Sequence, residues 1–409
     1  MVILVVFNFL FLNISAQDQP IEKELLKDLE PYLEVLNLLH NEYIEKEIDL
    51  DEIVKESIKG MLQSLDDPYT RYIDPQTLKR QKDNLFTGHF GGIGITSAIK
   101  DEQLIIISVT EDTPADRVGL KAGDRIVEIN KESTEKLSKD EVSNLLRGEI
   151  GSEIILGIQR EGVEEILKFS IIRENIEVKT TESNVIEILN NDSTEKQINL
   201  GYIRIIAFNV NTEQEVEKTL NHFIDNNIQG IILDLRHNPG GLLESAVDVS
   251  SKFIKKGVIV YIKNREGIQF TVRSRGNHYP QWPLIILINE GTASASEILA
   301  GAIRDNQRGL LLGAKTYGKG LVQQIFNLSD GSGLYISTSE YFTPHKQSIN
   351  KVGIQPDIWV EEVKENEEDE QLNRAIEFMQ ENMESMKAKL KLMSEVEDIE
   401  LIIIDEDSD

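Results

Sequence analysis

Apolar residues recur every three to four positions from about Pro20 to Met61 of this chain. Leu25, Leu26, Leu29, Leu33, Leu36 and Leu39 keep a 3.6-residue period and predict one helix; Ile53, Ile58 and Leu62 continue it in a second. The run Leu65-Asp66-Asp67-Pro68-Tyr69-Thr70 breaks the pattern, and Pro75 helps close the block. From Phe86 to about Arg173 the texture changes to short strands between turns, over Ile95 onward, Leu104–Val109, Ile126–Ile129, Ile154–Gln159 and Ile166–Ile172. Short helices are predicted over Pro114–Leu120 and Ser138–Arg147. Ninety residues of this kind suit a small β-barrel with two helices. From Ile176 to Val360 strands and helices alternate: strands at Leu200–Phe208, Ile231–Leu235, Val258–Ile262, Leu284–Ile288 and Tyr335–Tyr341, helices at Thr212–Ile224, Leu242–Ile254 and Ser294–Arg304. That alternation predicts a layered α/β core.

The 409 residues are too many for one ordinary core, so two or three domains are expected. With 43 basic and 71 acidic residues the formal charge is −28, which repels a phosphate backbone and argues against nucleic-acid binding. There is no cysteine, which removes thiol nucleophiles, disulfides and Cys-ligated metals. No His-Glu-x-x-His appears either, so neither metal nor cofactor is expected.

Met1 to Leu12 is apolar except for Asn8, and Ile14-Ser15-Ala16 offers a small residue at a cut. The length suits a signal peptide over residues 1–16, although no Lys or Arg precedes Lys23. Export to a periplasm, or attachment to the outer face of the cytoplasmic membrane, is the expectation; an uncleaved anchor or a mis-assigned start is the alternative. From Glu361 onward 18 acidic residues face 5 basic ones. Leu372, Ile376, Met379, Met383 and Met386 recur there at helical spacing, so an amphipathic helix is expected.

Two strand-to-helix junctions can carry chemistry. In Asp234-Leu235-Arg236-His237-Asn238-Pro239-Gly240-Gly241 a buried strand ends in a turn that leaves backbone N–H groups available. In Asn289-Glu290-Gly291-Thr292-Ala293-Ser294-Ala295-Ser296-Glu297 a serine stands at a helix start, with the N–H of Ala295 beside it and the positive helix end behind. The same Ser294-x-x-Glu297 spacing also fits a capping box, whose only task is to satisfy orphan N–H groups. What favours chemistry is Lys319, set between Gly318 and Gly320 shortly after the helix. A serine needs a base. None of the six histidines lies in a triad signature, and Gly-x-Ser-x-Gly is absent, which leaves His237 as the weaker candidate and a lysine as the stronger. A lysine base must be neutral, so burial has to bring its pKa from about 10.4 to roughly 7–8.

Phe90-Gly91-Gly92-Ile93-Gly94-Ile95, Thr113 to Leu120 and Lys121-Ala122-Gly123-Asp124-Arg125-Ile126 resemble a PDZ domain. In such a domain successive N–H groups hold a peptide's C-terminal carboxylate while the peptide adds to a sheet edge. The stretch from Leu65 to Val360 resembles the C-terminal processing, or tail-specific, proteases, serine peptidases with a Ser–Lys dyad. The likeness rests on the Asp67-Pro68-Tyr69-Thr70 run, the PDZ segments, Asp234–Gly241, Gly291–Glu297 and Lys315–Gln323. It implies Ser294 as nucleophile and Lys319 as general base. Gln323 would orient the lysine, Glu297 would support the site, and Gly240 and Ala295 would give the oxyanion-hole N–H groups. Ser296 and Lys315 are the neighbouring decoys. Thr292, where the family often has serine, and His237, in a variable slot, are the departures. Arg147 is a candidate relay between bound peptide and catalytic core.

The expectation is therefore an α/β chain: a signal peptide (1–16), a helical N-terminal region (17–85), a PDZ domain (86–175), a layered ββα-type protease core (176–362) and an acidic helical tail (363–409). Its partners would be proteins or peptides with apolar C-termini, and the N-terminal helices are a candidate surface for a homodimer. Two other readings compete: a catalytically inactive PDZ scaffold, and a nucleotide enzyme built on Gly318-Lys319-Gly320. The second is weak, because Gly320 stands where a phosphate loop needs Ser or Thr.

Overall fold

The computed structural model describes residues 27–45, 47–100, 103–135, 137, 139–188, 198–276, 279–361 and 369–406. The expected signal peptide lies outside them. The chain divides into two compact units, one of residues up to 81 with 322–338, the other of residues 82–321 with 339 onward.

The first unit opens with α1 (Glu30–Glu42) and α2 (Leu50–Gln63), followed by β1 (Arg71–Ile73) and α3 (Pro75–Lys82). The Asp49 carboxylate caps α2 by accepting the Glu52 N–H at 3.0 Å. Helix α1 buries none of its residues; Leu33, Val35 and Leu38 are exposed.

In the second unit β2 (His89–Gly92) leads into a small domain of β3 (Ile95–Lys100), β4 (Gln103–Val109), α4 (Pro114–Arg117), β5 (Arg125–Ile129), β6 (Glu132–Ser133), α5 (Lys139–Leu146), β7 (Glu153–Gln159) and β8 (Leu167–Ile172). Its sheet runs β3-β4-β5-β7-β8, with β6 beside β5. The alternating apolar positions Leu104, Ile106, Ile154, Leu156 and Ile158 meet Val142 and Leu146 of α5 in one core. Asp124, buried in the Gly-Asp-Arg turn, takes both Nε and Nη2 of Arg160 at 2.7 Å, so its role is structural. β9 (Glu174–Glu177) returns to pair antiparallel with β2, so the domain's entry and exit form one ribbon.

The core continues through β10 (Thr181–Ile188), β11 (Ile198–Ile205), α6 (Thr212–Asp225), β12 (Gly230–Asp234), α7 (Leu243–Phe253), β13 (Val258–Asn264), β14 (Gln269–Arg273), β15 (Leu284–Ile288), α8 (Ala295–Asp305) and β16 (Leu310–Gly313). Last come β17 (Leu321–Asn327), β18 (Gly333–Phe342), β19 (Ile358–Trp359) and α9 (Glu370–Glu406). One sheet has the order β10-β11-β12-β15-β16-β19, parallel except for β10. β12 and β15 are buried at every position, as unbroken apolar runs in the middle of a parallel sheet must be. Leu200, Ile232, Ile285, Leu287 and Leu312 face Ala375, Met379 and Met383 of α9. The helix expected in the acidic segment thus forms one wall of the core. Gly201, the next residue after Leu200, lies under the Phe223 ring of α6, on the opposite face of the sheet. β18 pairs through Gly333–Tyr335 with β1 in the first unit, and through Ser339–Phe342 with β13 in the second.

Candidate active site

β12 and β15 are parallel neighbours in register, Asp234 opposite Leu287, so their following turns emerge side by side at the C-terminal ends of the strands. The turns are stitched together. Ala293 N–H donates to Asn238 O at 3.0 Å, Thr292 Oγ1 to Leu235 O at 2.9 Å, and His237 N–H to Asn289 Oδ1 at 2.9 Å. Ser296, the nearer decoy serine, is fully buried and gives its hydroxyl to Asn238 O at 3.1 Å, and the other decoy, Lys315, is exposed. His237 sits at φ +58° with its ring against the Asn289 amide, a turn residue tied to its neighbour junction.

Ser294 precedes α8 at φ +56°, ψ −117°, a conformation that costs a non-glycine residue on the order of 1–3 kcal/mol and is kept only where the surroundings enforce it. The enforcement comes from Glu297. Its carboxylate is wholly buried and accepts four hydrogen bonds: Ser294 N–H at 2.9 Å and Lys319 N–H at 2.8 Å on Oε2, Thr316 Oγ1 at 2.6 Å and Gly318 N–H at 2.8 Å on Oε1. Burial pushes this carboxyl above the ordinary glutamate range, and the four donors oppose that push. A cap would need only the first of these bonds; the other three bind the lysine loop to the serine helix.

Gly240 has φ +98°, and a Cβ there would meet Ala293 O at 2.8 Å, Ala295 N at 2.8 Å and Ser294 Cβ at 2.9 Å. Only glycine fits so close to the serine. Its own N–H donates to Asn238 Oδ1 at 2.9 Å. Ala295, first residue of α8, carries one of the N–H groups that a helix leaves without an intrahelical partner. Gln323 lies on β17, in the first unit, where its Nε2 donates to Ser337 Oγ at 3.3 Å. The structure thus gathers Ser294, Ala295, Glu297, Gly240 and the backbone of Lys319. Sequence reasoning missed Tyr341, whose ring is buried and whose backbone N–H donates to Gly320 O at 2.7 Å beside Lys319, since within β18 it reads only as an apolar strand residue.

Behind the Gly240 turn, Asp234 accepts Tyr202 Oη at 2.8 Å and Arg236 Nη2 at 2.6 Å. Arg236 also grips both oxygens of Asp369 at 2.7 Å, just ahead of α9. Burial alone would weaken the charge of Arg236, but Asp369 and Asp234 hold it firmly protonated.

In the small domain Phe90, Gly92, Ile93, Gly94 and Ile95 line a cleft of about 180 Å³ between β3 and α5, together with Ile99, Val142 and Leu146. Gly91 is not part of its wall; it packs against Gly148 O instead. Arg147 closes one side. Its guanidinium lies 3.7 Å from the Phe90 ring centroid and donates to Asn84 Oδ1 at 2.7 Å. Arg173 holds the end of α5 by donating to Leu145 O and Leu146 O.

Comparison with known proteins fits this arrangement. The peptidase family S41 profile matches residues 199–360, a PDZ domain profile matches 105–160, and the N-terminal domain of the activating protease CtpB matches 12–77. The carboxyl-terminal-processing protease of Synechocystis is 38% identical over 80% of this chain and 75% of its own. The carboxy-terminal processing protease CtpB of Bacillus subtilis is 33% identical over 83% of this chain and 69% of its own. The chain belongs to peptidase family S41. It is a serine-type peptidase of the carboxyl-terminal-processing group, with the expected α/β protease core, PDZ domain and helical N-terminal region. A Bacteroides fragilis protein assigned to the S41 proteases shares the fold, with a TM-score of 0.50 at 17% identity over 85% of this chain and 96% of its own. Among the described residues of this S41 peptidase, no cluster of His, Asp and Glu could hold a metal ion.

Proposed function

We propose that this peptidase cleaves proteins near their C-termini by acyl transfer, with Ser294 as nucleophile and Lys319 as general base. The observation that carries the reading is the Glu297 carboxylate, which anchors both residues' backbones on one oxygen. A buried acid serving only a helix cap would have no reason to bind the loop that carries a lysine. Ser294 Oγ attacks the scissile carbonyl, Lys319 takes the hydroxyl proton, and the same proton passes to the leaving amine. Ala295 N–H and Gly240 N–H receive the developing oxyanion. In the resting arrangement Gly240 N–H is bonded to Asn238 Oδ1, so this amide must turn toward the carbonyl or be shared with it. Gln323 orients the lysine and Glu297 sets the spacing.

The PDZ cleft captures the substrate tail. Its walls of Ile95, Ile99, Val142 and Leu146 fit a small apolar C-terminal side chain, and the Phe90–Ile95 segment receives the carboxylate. Tethering the tail raises the local concentration of the upstream bond at Ser294. Arg147, in the wall of the cleft, relays occupancy to the core. The apolar run Met1–Leu12 supports export to a periplasm or attachment to the outer face of the cytoplasmic membrane. The exposed Leu33, Val35 and Leu38 of α1 support a homodimer through the N-terminal helices.

The test is cleavage of peptides ending in small apolar residues. The native chain should cut them, while Ser294→Ala and Lys319→Ala should not, with binding of the same peptides to the PDZ cleft retained. Full activity of Lys319→Ala would end the dyad reading.

A further inference from the structure

The turn that carries Gly240 is rooted in a buried ionic cluster. Asp234 ends β12 with its carboxylate almost wholly buried, and Oδ1 accepts both the backbone N–H of Arg236 at 2.9 Å and its Nε at 3.0 Å. One carboxylate thus fixes the main chain and the side chain of the same residue. The far edge of the guanidinium belongs to the C-terminal segment: besides the fork with Asp369, Nη1 reaches Gln371 Oε1 at 3.2 Å. Asp369 Oδ1 also accepts the Leu372 N–H at 3.0 Å at the start of α9, and the buried Gln371 donates to Val360 O at 2.8 Å. A buried set of charges contributes little net stability, because desolvation offsets most of the attraction, and apolar side chains of similar volume often hold a fold as well. What a planar guanidinium supplies is direction.

We propose that Arg236 is a positioning residue of this peptidase, holding the Asp234–Gly241 turn so that Gly240 N–H is presented to the oxyanion, and that Asp369 holds Arg236, which makes the start of the C-terminal helix a working part of the active site. The inference rests on the reading of Ser294 and Gly240 given above. An oxyanion donor is effective only about 2.7–3.1 Å from the point where charge develops, so a small drift of the turn costs rate without costing substrate affinity. Little slack separates Arg236 from Gly240. Pro239 has a fixed φ. Asn238 is buried, with Nδ2 donating to Ile205 O at 2.7 Å and its own carbonyl accepting the Ala293 N–H at 3.0 Å. A displacement at Arg236 therefore passes to Gly240, where Ala295 N and Ser294 Cβ already bound the available space. Lysine at 236 would keep the charge but lose the fork that grips Asp234, Asp369 and Gln371 together. If Asn238 alone held the turn, neither Arg236 nor Asp369 would matter to rate.

Two variants of the full chain test this. Arg236→Lys keeps the charge and loses the fork; Asp369→Asn, at a partly exposed position, keeps the shape and loses the counter-charge. At a temperature where both are folded, kcat for an apolar-tailed peptide should fall about tenfold to a hundredfold in the first and about threefold to tenfold in the second, with KM within about twofold. A peptide aldehyde bonds its carbonyl carbon to Ser294 Oγ and puts its oxygen where the oxyanion forms. Its affinity should fall by the same factor as kcat, while the matching unreactive peptide binds as before. A merely structural role would do the reverse: a fluorophosphonate would label fewer chains, and those labelled would keep native aldehyde affinity. The double variant should be little slower than Arg236→Lys alone, since both changes act through one contact. Native kcat in both variants, losses that track the labelled fraction, or losses that multiply in full would overturn the proposal. Should Arg236→Lys fail to fold, Asp369→Asn decides alone. An active Lys319→Ala would defeat the dyad and leave these comparisons standing. A dead Lys319→Ala beside full-rate Arg236→Lys and Asp369→Asn would defeat only the positioning role.

Discussion

Ser294 and Lys319 hang from a single atom: each donates its backbone N–H to Glu297 Oε2, at 2.9 and 2.8 Å. The positions are 25 residues apart in sequence, and the carboxylate that joins them is fully buried within α8. Spacing between the two is thereby fixed by main chain, without spending either side chain on the anchoring.

Glu297→Gln keeps the volume and removes half of the accepting capacity. The amide has one oxygen for four donors, and its NH2 must face either the Ser294/Lys319 pair or the Thr316/Gly318 pair. Stability should drop by about 1–3 kcal/mol, the cost of stranded buried donors, and kcat/KM should fall at least about tenfold. Urea unfolding and peptide cleavage measured on one preparation check both.

Gly240→Ala forces a Cβ against Ala295 N and Ser294 Cβ at φ +98°. The turn must shift, taking a proposed oxyanion donor with it. A kcat lowered by roughly 10²–10³, with unchanged peptide affinity at the PDZ cleft, is expected. Near-native turnover would show that Gly240 is needed for neither packing nor chemistry.

Arg147→Ala removes the cation over Phe90 and the bond to Asn84. If Arg147 relays tail occupancy, cleavage of an apolar-tailed protein slows severalfold, while a short peptide that cannot span cleft and site is cut at the native rate. Equal slowing of both substrates would instead mean a general loss of structure.

Asp67 gives a pH signature. Burial acts to raise its carboxyl, but hydrogen bonds from Thr70 Oγ1, Tyr69 N–H and Ser337 outweigh burial and hold it below the ordinary aspartate value. A lowered folded-state pKa stabilises above the unfolded value of about 3.9 and is lost as pH falls through the folded one. The stability gap between the native chain and Asp67→Asn should therefore be constant from pH 5 to 8 and shrink as pH drops below 4. A gap independent of pH would assign Asp67 a packing role only.

Most elements were legible because their patterns are strong. β12 and β15 read as unbroken apolar runs, and α6, α7 and α8 keep their periods. β10, β14 and β17 were not read, since their exposed faces dilute the alternation with residues such as Glu182, Asn184, Gln269 and Gln324. β16 and β19 are too short to show a period. At the site, Ser294 and Glu297 were readable from local spacing, and Lys319 from its flanking glycines. The Thr316, Asn238 and Tyr341 contacts join positions distant in sequence, and no local pattern records such pairings. Arg236–Asp369 is the same kind of case: 133 residues separate an arginine and an aspartate that look like ordinary surface charges.

β1 finds its partner in β18, with Arg71 opposite Tyr335. The N-terminal unit therefore cannot be completed when its own helices leave the ribosome; it must wait for a strand made some 260 residues later. Gln323 lies in that late-arriving stretch, so a nascent or C-terminally truncated chain lacks both the closing strand and a residue proposed for catalysis. The N-terminal unit is thus among the first parts of the chain to be made and among the last to be finished.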